Sequence, residues 1–197
     1  VYGGGGNSGA PLRSDFVELF NAGSENVSLE GWSVQYASST GTCWQRTNLS
    51  GSIAPGQYYL VKQADGSNTA APALPAPDAT GSIAMAAGAG KVALVGNQTT
   101  LSGACPLGGA VIDFVGFGAG TNCAETAPTA TLGNATAALR KGAGCTDTGN
   151  NAADFDVAAP APRNSATTAA PCGGPVIPAL SVADVAIEEG DASGSVL

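Results

Sequence analysis

Short runs in which apolar and polar residues alternate constrain the fold of this chain more than any other feature. The runs DFVELFN (15–21) and WSVQYAS (32–38) alternate at every second position, and KVALVGN and VIDFVGFG follow further along. Period two is the side-chain repeat of a β-strand. The intervening segments are rich in glycine, proline and asparagine, which favour turns. The sequence therefore predicts an all-β, antiparallel sandwich with long Gly/Pro/Thr-rich loops.

Composition agrees with one such domain followed by a tail. The chain has 197 residues, of which 44% are hydrophobic and only 11% charged, against about 25% charged in an average soluble domain. We expect the sandwich to span residues 1–172. A Gly/Pro linker (173–178) then leads to a strand-like segment (179–197), which resembles the truncated start of a following β-domain because it is too short to bury a core.

Charge and the absence of histidine restrict the possible functions. The chain has fifteen acidic and seven basic residues, and only Arg140 and Lys141 are adjacent bases. Binding a polyanion needs a stripe of cations, so we expect no direct nucleic-acid binding. Without histidine the chain lacks Ser-His-Asp and Cys-His catalysis and His-ligated zinc. An Asp/Glu or Lys mechanism stays open, but the composition favours a protein that is not an enzyme.

Five widely spaced cysteines indicate an oxidising compartment with structural disulfides. The spacing does not fix their connectivity. The preferred pairing joins chain neighbours, Cys105 with Cys123 and Cys145 with Cys172. Cys43 is then left as a thiol, interpreted as an inert, buried core residue beside Trp44, with a reactive or intermolecular thiol as the alternative.

Targeting features agree with an extracellular, secreted or cell-surface protein. No run of about 18 apolar residues is present, so no transmembrane segment is predicted. The opening VYGGGG has neither a methionine nor a signal peptide and is interpreted as a mature or excised N-terminus. Val1 and Tyr2 look like the end of a strand.

Several weaker expectations concern particular segments. The run SIAM (82–85) is predicted as a strand. The segment 64–80, with three prolines, is predicted as a long surface loop, because proline cannot donate to a sheet ladder. Asp15 and Glu18, three positions apart on a strand, face opposite sides and cannot act together as acid and base. Their role is structural, or Asp15 satisfies loop donors.

One acidic and amide-rich segment is a candidate calcium site. The run CTDTGNNAADFD places Asp147, Asn150, Asn151 and Asp154 close together, with Asp156 just beyond. Calcium takes six to eight oxygen ligands, which such side chains supply. The same residue types also form turns and caps. The alternatives are a bound calcium ion or a structural turn with no cofactor at all.

Longer runs of sequence carry a family resemblance. They are VYGGGGNSGAP, DFVELFN, LEGWSVQYAS, IAPGQYYLV, GKVALV, DFVGFG, ALRKGAGCTDTGNNAADF and PRNS. Their order resembles the lamin-tail domain of bacterial secreted proteins over residues 1–172. The resemblance implies an immunoglobulin-like β-sandwich that often precedes the catalytic domain of large extracellular nucleases. The tail SVADVAIEEGDASGSVL is similar to the first strand of a Calx-β-like module.

The resemblance implies fold and context but no catalytic residues, since fold alone does not determine function. The first hypothesis is a non-catalytic binding or targeting module of a secreted bacterial protein, with a nuclease as the parent. Its partners would be the downstream domains of the same polypeptide. The alternative is a structural subunit of an extracellular filament or other assembly, whose C-terminal tail adds as a strand to a neighbouring subunit.

Overall fold

The computed structural model describes residues 1–173, which form two main packed sheets and one small two-stranded ladder, Val27–Ser28 with Ser52–Ile53. The strands are β1 (Ser14–Phe20), β2 (Val27–Ser28), β3 (Ser33–Ser38), β4 (Gln45–Asn48), β5 (Ser52–Ile53), β6 (Tyr58–Asp65), β7 (Ala79–Thr80), β8 (Gly90–Val95), β9 (Val111–Phe117), β10 (Ala137–Arg140) and β11 (Phe155–Ala158). A 3₁₀ turn (Gly142–Gly144) and one short helix, α1 (Asn151–Asp154), lie between β10 and β11. The predicted tail, and the linker from residue 174 onward, lie outside the described residues.

The first sheet has the order β4-β3-β8-β9, and every pair in it is antiparallel. In β3, Val34 and Tyr36 are buried in the space between the sheets, whereas Gln35 faces the other side. This alternation follows the period of two seen in the sequence. The strand predicted at 32–38 is therefore confirmed, with its apolar face toward the core.

The second sheet is continuous through a two-residue segment at the start of the chain. β1 pairs with β6, and β7 adds in parallel at the far edge of β6. On the other side of β1, Tyr2 and Phe16 exchange two backbone hydrogen bonds, of 3.0 and 2.9 Å. Val1 exchanges two more with Ala138 of β10, which pairs with β11. The resulting order, β7-β6-β1-(1–2)-β10-β11, agrees with the interpretation of Val1 and Tyr2 as the end of a strand.

The main core fills the space between the two sheets. Val17 and Val61 reach it from the second sheet, and Val34 and Val92 from the first. All four are at most 5% exposed. Burial of branched and aromatic side chains between two sheets is what stabilises a sandwich. The all-β, antiparallel sandwich predicted from the sequence is confirmed.

The outer face of the first sheet is buried as well. Trp44, Ala93 and Phe114 form a second cluster there, beneath the loop that follows β8. Gln35 lies on this face and is fully buried; its Nε2 donates to the Thr99 carbonyl, and its Oε1 accepts from the Leu101 N–H. Because these hydrogen bonds satisfy its amide, a polar residue is tolerated in the layer.

Three expectations about local structure are corrected. Cys43, predicted to be buried, is exposed, and Trp44 next to it is the buried residue. Residues 82–85, predicted as a strand, belong to none. The proline-rich segment 64–80 does not remain entirely a loop, because its first two residues end β6 and its last two form β7 at the edge of the sheet.

Candidate binding cleft between the sheets

A cavity of about 250 Å³ opens between the sheets beside β1 and β10, and we call it the β1–β10 cleft. Apolar side chains form most of its wall. They are Val1, Val17, Leu19, Val27, Leu29, Trp32, Val34, Ile53, Val92, Leu94, Ile112, Val115, Ala138, Leu139 and Phe155. Of these, Ile112 is 55% exposed. An apolar concavity of this kind is the usual form of a ligand site.

The cleft begins where the short segment between β1 and β10 ends. Tyr2 and Val1 occupy the space between these strands as far as Phe16 and Ala138. Past Val1, the cleft is bordered by Glu18 to Phe20 on one side and by Leu139 and Arg140 on the other. The wall of the cavity is thus formed by the parts of β1 and β10 that lie past this bridging segment.

Charged side chains at the rim of the cleft are paired with one another. Arg163 binds Glu18, with 2.7 Å between Nη2 and Oε1, and its guanidinium lies 3.9 Å over the ring of Tyr58. Arg140 binds Asp113 of the opposite sheet at 2.8 Å. An apolar wall with paired charges at its rim is the chemistry of a binding surface.

Two of the four predicted calcium ligands are fully buried and fully hydrogen-bonded. Asp154 accepts hydrogen bonds from the Thr148 N–H and hydroxyl, at 2.8 and 2.7 Å, and from the Asn150 N–H at 3.2 Å. Burial opposes its ionised form, but these hydrogen bonds outweigh burial and lower the pKa of Asp154. Asn151 bonds through both ends of its amide to β9 and to Glu125.

The other two predicted ligands lie on the same loop. Asp147 is largely exposed and lies 3.3 Å from Arg140, and the buried Oδ1 atom of Asn150 has no hydrogen-bond partner. Within residues 1–173, no group of three His, Cys, Asp or Glu side chains is arranged to hold a metal ion. The structural turn accounts for the contacts of Asp154 and Asn151. Calcium binding by the loop stays a prediction.

Both disulfides join the cysteines paired in the sequence analysis. Cys105 is bonded to Cys123, and Cys145 to Cys172. The first lies on the outer face of the first sheet, where Cys123 belongs to the cluster of Trp44 and Phe114. The second fixes the last described residues of the chain beside the 3₁₀ turn. Together they tie the long loops to the sandwich.

Asp15 has the second of the two roles suggested for it. Its Oδ1 accepts a hydrogen bond from the Gly5 N–H and its Oδ2 one from the Met85 N–H, both at 2.8 Å. One buried carboxylate thus fixes the glycine-rich loop and the segment 82–85 to the start of β1. Burial raises the pKa of Asp15 to about 6, although the two N–H donors partly offset the rise.

The raised pKa of Asp15 predicts a pH dependence of stability. An unfolded aspartate titrates near 3.9, so between about pH 4 and pH 6 the folded state keeps a proton that the unfolded state has lost. The free energy of unfolding therefore falls as the pH rises through this window, by roughly 2 kcal/mol from this group. Urea denaturation at pH 4 and pH 7 should show this contribution in the wild type and not in Asp15→Asn.

Asp156→Asn provides the matched control, since Asp156 is an exposed aspartate. This variant should keep the pH dependence of the wild type. If the stability of the wild type and of Asp15→Asn depends equally on pH, the raised pKa of Asp15 is contradicted.

Sequence reasoning missed the cleft and the buried Lys91. Lys91 stands in an alternating strand, where a lysine normally indicates a solvated face. In the structure the Lys91 side chain is fully buried. Its ammonium donates hydrogen bonds to three oxygen atoms of surrounding loops, two carbonyls and one side-chain amide. No local pattern in the sequence reports which loops fold over a strand.

Comparison with known proteins identifies a family over most of the chain. A family model described as Lamin Tail Domain matches residues 1–146. No curated protein and no solved structure gives a significant match. In the part of the chain that the structure describes, no helix is long and apolar enough to cross a membrane.

Proposed function

The chain belongs to the lamin tail domain family, and we propose that it serves as a non-catalytic extracellular binding or targeting module of a secreted bacterial protein. The parent is an extracellular nuclease, and the module's partner is the downstream part of the same polypeptide. Lamin tail domains are non-enzymatic, immunoglobulin-like domains, in agreement with a binding or structural role.

The observation that carries the proposal is the chemistry of the β1–β10 cleft. Its walls are apolar, and the charged groups at its rim form ion pairs that span it or cover it. Such a surface gains binding energy from burial and gains specificity from a few fixed polar groups. Among the described residues that line it, the carboxylates of Glu18 and Asp113 are both held in ion pairs.

The disulfides and the charge support the extracellular setting and the choice of partner. Two disulfides are typical of proteins that mature in an oxidising compartment. The net charge of −8 opposes direct contact with a polyanion. The module therefore serves a nuclease by binding the nuclease chain itself, and the nucleic acid is left to other domains.

The proposal predicts that the purified chain hydrolyses neither DNA, RNA nor phosphate esters, with or without divalent metal ions. Fluorescence anisotropy of labelled DNA should also stay unchanged on addition of the chain at physiological salt. A nuclease of known activity serves as the positive control in the same buffers. Turnover that disappears when a single acidic residue is replaced, for example in Asp113→Asn, would overturn the assignment.

A second function is supported by the same cleft. In a structural subunit of an extracellular assembly, the tail 179–197 of one subunit would add as a strand to the sheet of its neighbour. The end of β1 lies beside this cleft and supports the candidate, because sheet edges readily accept another strand. Light scattering separates the two functions, since a subunit should form oligomers that a chain without residues 174–197 does not form.

A further inference from the structure

Three loops that cover the outer face of the first sheet meet at the ammonium group of Lys91. The connection between β3 and β4 supplies the Gly41 carbonyl, at 2.7 Å from Nζ, and the connection between β8 and β9 supplies the Ala104 carbonyl, also at 2.7 Å. The third oxygen atom is Oδ1 of Asn122, which follows β9, at 2.8 Å. The three N–H donors of an ammonium group are thus matched by three oxygen acceptors.

The surroundings of this buried charge are neutral. The Lys91 side chain is fully buried, and none of the ion pairs within residues 1–173 includes it. Lysine is rarely buried without a charged partner, because removal from water opposes the charged form and lowers the pKa of Lys91. The ring of Trp44 lies 5.5 Å from Nζ, within the range of a cation–π contact. Neutral oxygen atoms and one aromatic ring therefore hold the cation.

The Cys105–Cys123 disulfide holds two of the three acceptors together independently of the lysine. Ala104 directly precedes Cys105, and its carbonyl belongs to the peptide bond between them. Asn122 directly precedes Cys123. The Cα atoms of the two bonded cysteines are 5.1 Å apart. Shortening the side chain of Lys91 leaves this link intact.

The third acceptor is held by backbone hydrogen bonds between the loops. On one side of Gly41, the Gly103 N–H donates to the Thr42 carbonyl at 3.0 Å. On its other side, the Asn122 N–H donates to the Ser39 carbonyl, also at 3.0 Å. The connection between β3 and β4 is therefore joined to both of the loops that the disulfide links. We expect the three oxygen atoms to keep their places without the lysine ammonium.

We infer that these loops form a preorganised binding site for a primary ammonium ion, and that Lys91 supplies its resident ligand. Three neutral acceptors suit the three N–H donors of R–NH₃⁺. Calcium and magnesium take about six or more ligands, with carboxylates among them, and the site supplies neither. The site lies on the face of the first sheet that points away from the β1–β10 cleft, so the inference is independent of the proposed function.

Rescue of Lys91→Ala by a small free cation tests the inference. Methylammonium matches the Cε and Nζ atoms of the missing side chain, and tetramethylammonium has the same charge but no N–H donor. In thermal denaturation of Lys91→Ala, methylammonium chloride should raise the melting temperature saturably, by about 3–6 °C at ten times its dissociation constant. Tetramethylammonium chloride at the same concentration should not reproduce this rise.

Two further variants show whether the rescue takes place at this site. Lys62→Ala removes a partly exposed lysine and is the matched control, so it should respond equally to the two salts. Lys91→Ala/Asn122→Leu lacks one acceptor and should bind methylammonium at least about tenfold more weakly than Lys91→Ala. An equal response of Lys91→Ala to the two salts would overturn the inference, as would unchanged affinity in the double variant.

Refolding extends the test to the case in which Lys91→Ala does not fold in plain buffer. Recovery of the folded variant in methylammonium and not in tetramethylammonium would then support the site, and recovery in neither salt would overturn it. NMR of the wild-type chain provides a measurement without any substitution. The ammonium protons of Lys91 should exchange with solvent at least about a hundredfold more slowly than those of Lys62. Equal exchange rates at the two lysines would contradict the enclosed ammonium site.

Discussion

Lys91→Met is expected to lower the free energy of unfolding by about 3 kcal/mol. The side chain of Lys91 is fully buried, and its Nζ donates to the carbonyls of Gly41 and Ala104 at 2.7 Å and to Oδ1 of Asn122 at 2.8 Å. The ammonium thus joins three separate loops on the outer face of the first sheet. Methionine fills a similar volume but leaves three partly buried oxygen atoms without their donor, and urea denaturation measures the loss.

Lys62→Met is the control for the charge itself. Lys62 also lies on a strand, but it is partly exposed and its ion pair with Asp65, at 2.9 Å, is a surface contact. Surface pairs contribute at most about 1 kcal/mol, so this variant should remain within that limit. A loss from Lys91→Met no larger than that from Lys62→Met would show that the loops do not depend on the buried ammonium.

Asn151→Asp should destabilise the sandwich by about 3 kcal/mol at neutral pH, although it changes only one atom of the side chain. The Asn151 amide nitrogen donates to the Phe114 carbonyl at 3.0 Å and to the Glu125 carboxylate at 2.9 Å. Aspartate removes both donors and adds a negative charge beside Glu125. Burial, together with the charges of Asp113 and Asp147, already raises the pKa of Glu125.

Asn26→Asp is the control, because Asn26 is exposed and the substitution makes the same change of charge. It should shift the free energy of unfolding by no more than about 0.5 kcal/mol.

Thermal melts in calcium and in chelator extend this experiment to the predicted calcium site. A structural role for Asn151 predicts the same loss in both conditions. Stabilisation by calcium that is kept or increased in Asn151→Asp, where the carboxylate is the stronger ligand, would support the cation instead.

Strands were predictable because their signal is local. The side chains of Val34 and Tyr36 reach the core on account of their spacing along one strand. The false strand at 82–85 shows the limit of that reasoning. Its backbone N–H groups bond to side chains: that of Ile83 to Gln63, and that of Met85 to Asp15. The Ala64 N–H of β6 donates to the Ile83 carbonyl, but with their own N–H groups bonded to side chains these residues form no strand ladder.

Burial of individual residues was less predictable than the strands themselves. Adjacent residues in an extended segment point in opposite directions, so Cys43 and Trp44 do not both enter the core, and the larger apolar surface of Trp44 is the one buried. The cleft depends on contacts between Val1 and Ala138, which are 137 positions apart in the chain. Neither segment alone contains a sequence pattern that predicts this contact.

The bond between Cys145 and Cys172 also determines how tension crosses the domain. A pull applied at Val1 and at Gly173 enters through the hydrogen bonds of Val1 with Ala138 and leaves through the disulfide a few residues further on. The segment 146–171 is then bypassed and carries no load while the disulfide is oxidised. When the disulfide is reduced, the segment 146–171 would also carry the force. The redox state of this bond therefore determines how far the domain extends before its sheets separate.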